Sequence, residues 1–127
     1  MDDGTTPNFT IPKRPTRRYQ RRGGVEYEGE TVFSLIPAFE YTDESLRVLV
    51  ERLLDRSPYR YGDWFDLPMP LYIVHDDETS DTFRLAIRDG TVELHLLPET
   101  EADGLKAFYK RLADSSETTW RVVCRTK

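Results

Sequence analysis

One two-residue turn constrains the fold of this chain more than any other feature. Asp89-Gly90 separates two runs of alternating apolar residues, 82–88 and 91–97. A type I′ turn needs positive φ at both central positions, which Asp and Gly adopt more readily than most residues, so the pair predicts a tight β-hairpin. The turn sets a register. Arg88 faces Thr91, Ile87 faces Val92, and the ladder runs on from there. Phe83, Leu85 and Ile87 then meet Leu96, Leu94 and Val92 on one face, while Arg84 meets His95 and Ala86 meets Glu93 on the other. A slip of one residue would send every apolar side chain to the polar face, so the agreement of the two sets supports the pairing.

Other segments fit around this hairpin. Val25-Glu26-Tyr27-Glu28 alternates as a strand, and 31–36 is a β-branched, apolar run ended by Pro37. Thr42 can cap a helix with Asp43 and Glu44 in its first turn, and Leu46, Leu49, Val50, Leu53 and Leu54 follow in one stripe. Pro58 ends that helix. Residues 71–75 form a strand. Thr100 with Asp103 resembles a capping box, opening a second helix with Ala102, Leu105, Phe108, Tyr109 and Leu112 on one side. Gly104 weakens that helix by about 1 kcal/mol relative to Ala. The segment 119–125 closes the chain as a strand with Trp120, Val122 and Cys124 on one face.

The expected order is β-β-α-β-β-β-α-β. It predicts an α+β two-layer sandwich, with a mostly antiparallel sheet of five to six strands and two amphipathic helices covering one face. A chain of 127 residues with 38% hydrophobic content can build one ordinary core. Lone Cys124 excludes an internal disulfide framework. No apolar run approaches the roughly 18 residues that a membrane-spanning helix needs. Nor does an apolar stretch follow the arginine pairs near the N-terminus, so the expected location is the cytoplasm.

Charge divides the chain. Residues 1–24 carry six Lys/Arg against two Asp, for +4, and residues 25–127 carry twelve against 21 acids, for -9. The stretch KRPTRRYQRRGG, 13–24, holds no acid at all. We read 1–24 as a mobile basic arm ending at Gly23-Gly24, and 25–127 as the single folded domain. Lys13, Arg14, Arg17, Arg18, Arg21 and Arg22 are candidate anion-binding residues, and Tyr19 can stack on a base. Nucleic acid and the protein's own acidic body are both available to such an arm, and a solvated tail is the plainest alternative. Arg outnumbers Lys by 14 to 4, a composition that suits a salt-rich, halophile-like cell. There the Debye length shrinks to about 3 Å at 1 M, and a loose electrostatic clamp is weak.

Three further groups stand out. Arg84, Arg88, Glu93 and His95 share the polar side of the hairpin, either as a charge-balanced solvent face or as a site for an anionic group. His75, Asp76, Asp77, Glu78 and Asp81 crowd one turn, but neighbours on a strand point to opposite faces, so they do not form a metal-ligand set. Tyr59, Tyr61, Trp64 and Phe65 lie in an expected loop, 59–70, with the composition of a protein interface or of a cap on the core.

No phosphate-cradling glycine loop, nucleophile elbow or paired metal ligands are present, and no cofactor is implied. An enzyme built on His75 and His95 is the least supported reading. The leading expectation is a non-catalytic binding, adaptor or regulatory domain whose arm contacts an anionic partner such as nucleic acid. The second is a protein–protein module or homodimer using the aromatic loop and a sheet face.

Overall fold

The computed structural model describes residues 7–56, 58–63 and 71–127. Its elements run β1 (Thr16–Tyr19), β2 (Val25–Glu28), β3 (Thr31–Pro37), α1 (Asp43–Leu54), β4 (Tyr59–Asp63), β5 (Leu71–Asp76), β6 (Asp81–Arg88), β7 (Thr91–His95), α2 (Ala102–Ser115) and β8 (Trp120–Thr126). Six strands form one antiparallel sheet in the order β4-β5-β6-β7-β3-β8. β1 and β2 form a separate two-stranded hairpin. Both helices pack on one face of the large sheet, giving the α+β two-layer sandwich that the sequence predicts. No helix among the described residues is long and apolar enough to cross a membrane.

The predicted hairpin holds residue for residue from Arg88↔Thr91 to Arg84↔His95. Asp89 and Gly90 adopt φ of 53° and 71°, as a type I′ turn requires. The Gly90 amide also donates to the Asp43 carboxylate (2.6 Å), tying the turn to the start of α1. β7 ends at His95 rather than continuing to Leu97, although the Leu96 amide still donates to the Thr31 carbonyl of β3 (3.1 Å).

α1 starts as predicted but ends at Leu54, with Asp55 as its C-cap, short of the stop at Ser57 that Pro58 predicts. The Thr42 hydroxyl accepts from the Ser45 amide at 3.0 Å, and Leu46, Val50, Leu53 and Leu54 are buried. They lie over Phe33, Leu35, Phe83, Leu85, Ile87, Val92 and Leu94 of the sheet, with α2 adding Leu105, Phe108 and Leu112. Fully burying each large apolar side chain contributes about 1.5–3 kcal/mol.

Three expectations differ from the structure. First, the start of α2 is capped differently. Thr100 is fully buried, and its hydroxyl donates to the Thr82 carbonyl (2.6 Å) and accepts from the Leu97 amide (2.9 Å). The free amides of the first turn are taken instead by Asp81, whose carboxylate accepts from Glu101 (2.8 Å) and Gly104 (2.9 Å). A carboxylate from another element does the work of a local cap and also complements the helix dipole.

Second, the segment beginning at Tyr59 is not all loop. Tyr59–Asp63 is edge strand β4, paired with β5 from Tyr59↔Asp76 to Asp63↔Tyr72. The Tyr-Arg-Tyr alternation is the strand signal. Tyr59 and Tyr61 face the core, where they meet Phe108 and Tyr72 edge-on.

Third, the N-terminal segment engages the body. Phe9 is 4% exposed and packs against Phe33 (5.2 Å between ring centroids) and Tyr109 (5.7 Å). Ile11 joins the same cluster. Where the sequence reads a mobile tail, two apolar residues among Thr, Asn and Pro anchor the chain before the basic run begins. β2, expected to open the main sheet, pairs only with β1.

Candidate functional site

The basic stretch is divided between a fastened base and a free tip. β1 and β2 pair from Thr16↔Glu28 to Tyr19↔Val25, and Gly23 and Gly24 turn the chain with φ of 86° and 91°. At the base, the Arg14 guanidinium donates to the Thr100 carbonyl and pairs with Glu101 (3.1 Å). Arg17 pairs with Glu99 at 3.2 Å and Arg18 with Glu28 at 3.3 Å. The Lys13 carbonyl accepts from the Thr31 hydroxyl. Arg14 and Arg17 thus bind acids beside the start of α2. These exposed pairs are each worth under about 1 kcal/mol, so Phe9 and Ile11 hold this segment more than the charges do.

The tip differs. Arg21 and Arg22 are exposed and have no hydrogen-bond or ion-pair partner among the described residues. Tyr19 is 73% exposed beside them, and Val25 opposite is also exposed.

The second cationic group lies on the sheet face that the helices leave open. The hairpin register puts Arg84, Arg88, Glu93 and His95 there together, as expected. The face is not charge-balanced, however. β8 pairs with β3 so that Arg125 falls opposite Val32 and Arg121 opposite Ile36, both on the open side. β4 adds Arg60, opposite His75. Strand alternation therefore gives this face Arg60, Arg84, Arg88, Arg121 and Arg125, with Glu93 as its acid among the described strand positions. Sequence reasoning did not place Arg60, Arg121 and Arg125 on this face, Arg60 being read with the aromatic residues of 59–70. The alternation of Trp120 and Val122 with Arg121 was a visible signal, but the neighbour of β8 was not.

Glu93 organises the centre. It is 6% exposed, accepts from Arg88 (2.8 Å) and His95 (3.0 Å), and lies 3.6 Å from Arg125. Arg125 also donates to the Ser34 hydroxyl at 3.2 Å. Burial works to raise the Glu93 pKa, but the bonds from His95 and Arg88 and the Arg88 charge outweigh it and hold the carboxyl below its usual range.

The acidic turn resolves into separate structural roles. Asp76 is fully buried, pairs with Arg111 (3.1 Å) and accepts from the Glu78 amide (2.8 Å). Asp77 pairs with Arg60 at 2.8 Å and lies 3.4 Å from His75, which neutralises that end of the open face. Glu78 pairs with Arg111 at 2.8 Å, and Asp81 caps α2. Among the described residues no three His, Cys, Asp or Glu side chains are grouped to hold a metal ion.

Of the proposed interface residues, Tyr59 is buried, its hydroxyl accepting from Arg111 at 2.7 Å; burial, only partly offset by Arg111, pushes its pKa up to about 12. Tyr61 is half-buried and donates to Asp55 (2.6 Å). Trp64 and Phe65 lie outside the described residues. Cys124 is exposed on edge strand β8, where partial burial raises its thiol pKa. Comparison with models of known protein families gives no match, and comparison with curated protein sequences gives none either.

Proposed function

We propose that this chain is a non-catalytic binding module whose β1–β2 hairpin contacts an anionic partner, with nucleic acid as the partner its chemistry suits best. One observation carries the reading. The inner arginines of the basic stretch are committed to Glu99, Glu101 and Glu28, while Arg21, Arg22 and Tyr19 project at the tip. A guanidinium forks onto phosphate and a tyrosine ring stacks on a base of any identity. A tip held by a folded base loses less freedom on binding than a loose tail would. Its contacts act at hydrogen-bonding range, where salt screens them less than it screens long-range steering.

The test is binding of a labelled single-stranded oligonucleotide across a salt series, comparing the parent with Arg21→Ala/Arg22→Ala. Each lost phosphate contact flattens the slope of log affinity against log salt by about 0.7 for a single strand. The double variant is expected to bind more weakly, with a slope shallower by about 1.4. Equal affinity and equal slope would overturn the reading.

A further inference from the structure

We propose that the open face of the sheet is a second nucleic-acid contact, a phosphate-binding surface made of four arginines set around a buried glutamate. It rests on the reading of the chain as a module for an anionic partner, but on different residues from the hairpin tip.

Register gives the geometry. Arg84 and Arg125 lie in one row across the sheet, with His95 and Val32 between them. Arg88 and Arg121 lie four residues further along β6 and back along β8, on the same face. Four residues of strand span about 13 Å, and three inter-strand spacings about 14 Å. The arginine backbones therefore mark the corners of a rough square. Glu93 stands in the row between, flanked by Ala86 and Ser34, with Val123 at the edge.

The central acid offsets only part of this field. Its side chain is 8% exposed and is already satisfied by Arg88 and His95. A guanidinium carries five N–H donors, and a carboxylate takes one or two of them. Arg88 and Arg125, each more than two-fifths exposed, keep donors directed outwards. Glu93 thus lays two guanidinium groups against the sheet and fixes their orientation, which lowers the ordering cost of binding. Among the described strand positions of this face Glu93 is the one acid, while Asp77 meets its Arg60 end and Glu30 lies 3.8 Å from His95.

Charge and shape select the occupant. A second copy using the same patch would set arginines against arginines, since a two-fold interface opposes like with like. An extended acidic peptide turns alternate side chains away from a flat sheet and offers it half its charges. A nucleic-acid strand offers a phosphate at every unit. No Phe, Tyr or Trp occupies an open-face position among the described residues, so the face reads phosphates and is indifferent to sequence.

The experiment measures labelled oligothymidylate binding over a salt series, with circular dichroism confirming the fold of each variant. Val123→Glu places an acid on the face without removing any ion pair, and Arg121→Gln removes an exposed cation. Each is expected to weaken binding, and Arg121→Gln to flatten the salt slope by about 0.7. Glu93→Gln removes the acid of the face while keeping an acceptor for Arg88, and is expected to bind more tightly. Arg52→Ala, on the helical side, is expected to leave binding unchanged. If the tip variant Arg21→Ala/Arg22→Ala is weakened while all face variants match the parent, the face is not a contact and the hairpin reading survives. If the parent does not bind oligothymidylate, both fall. If polyglutamate displaces the oligonucleotide at equal charge concentration, the nucleic-acid assignment is overturned.

Discussion

The Asp81 carboxylate accepts from the Gly104 amide at 2.9 Å and occupies the space that a side chain at position 104 would need. A glycine in the first turn of α2 looks, by helix propensity alone, like a defect that Ala would repair by about 1 kcal/mol. Here the expected sign is reversed. Gly104→Ala should destabilise the protein by roughly 1–3 kcal/mol, because the methyl displaces a carboxylate that satisfies one buried and one part-buried amide. Asp81→Ala should cost a similar amount. Urea denaturation of both single variants and the double variant forms the check. The double should cost clearly less than the sum, because the two residues share one interaction.

Phe9 makes a second expectation. Its ring fills a site between Phe33 and Tyr109, so Phe9→Ala should lower stability by about 3 kcal/mol. Arg21→Ala/Arg22→Ala should leave stability within about 0.5 kcal/mol of the parent, since the tip touches nothing that folding depends on. Thermal unfolding of the two variants separates the anchoring of the segment from its charge. Equal midpoints would mean that Phe9 contributes no packing.

The hairpin turn offers a third. Gly90 has φ of +71°, and a side chain there would approach the Tyr41 carbonyl at 3.1 Å. Gly90→Ala should therefore cost roughly 1–2 kcal/mol through backbone strain, read from the denaturation midpoint. Gly23→Ala, also at positive φ but in open space, should cost less, because it carries the backbone strain alone with no neighbouring atom against the added methyl.

Acid stability follows from Glu93. Its carboxyl is held below the ordinary 4.5 in the folded protein, so the unfolded chain binds the proton more tightly. The resulting stabilisation is fully present above the unfolded value and is lost as pH falls through the lower folded one. Between neutrality and about pH 3, Glu93→Gln should lose less stability than the parent. Asp81, whose pKa burial raises, carries the opposite sign but is present in both proteins and cancels in the comparison. Parallel stability curves for parent and variant would remove Glu93 as the source.

What could be read from sequence divides by range. The β6–β7 hairpin and α1 are local structures, specified by a turn dipeptide and by a cap with a stripe, and both formed in the expected places. The cap of α2 was misassigned because its donor of choice, Asp81, lies 20 residues before Glu101 and its role exists only after folding. Phe9 was passed over for the same reason, since one ring in a polar segment has no period to detect. For the candidate surface, Arg84, Arg88, Glu93 and His95 were legible through the turn register. Arg121 and Arg125 were legible as one side of a strand, but their union with the others depends on β8 choosing β3 as its neighbour.

The position of β3 has a consequence for how the protein is made. Its two neighbours, β7 and β8, are both encoded far downstream, so β3 leaves the ribosome early with neither edge paired. It is also the most thoroughly buried strand, Val32 and Leu35 being fully covered in the finished fold. During synthesis this β-branched, apolar ribbon is exposed until residues 91–95 arrive, and one side stays open until 120–126 are complete. Long-range pairing of this kind is slow, and the waiting strand is a template for association between nascent chains. The arginines that flank it on β8 therefore arrive as the last strand closes that edge, the moment at which the nascent chain stops being adhesive.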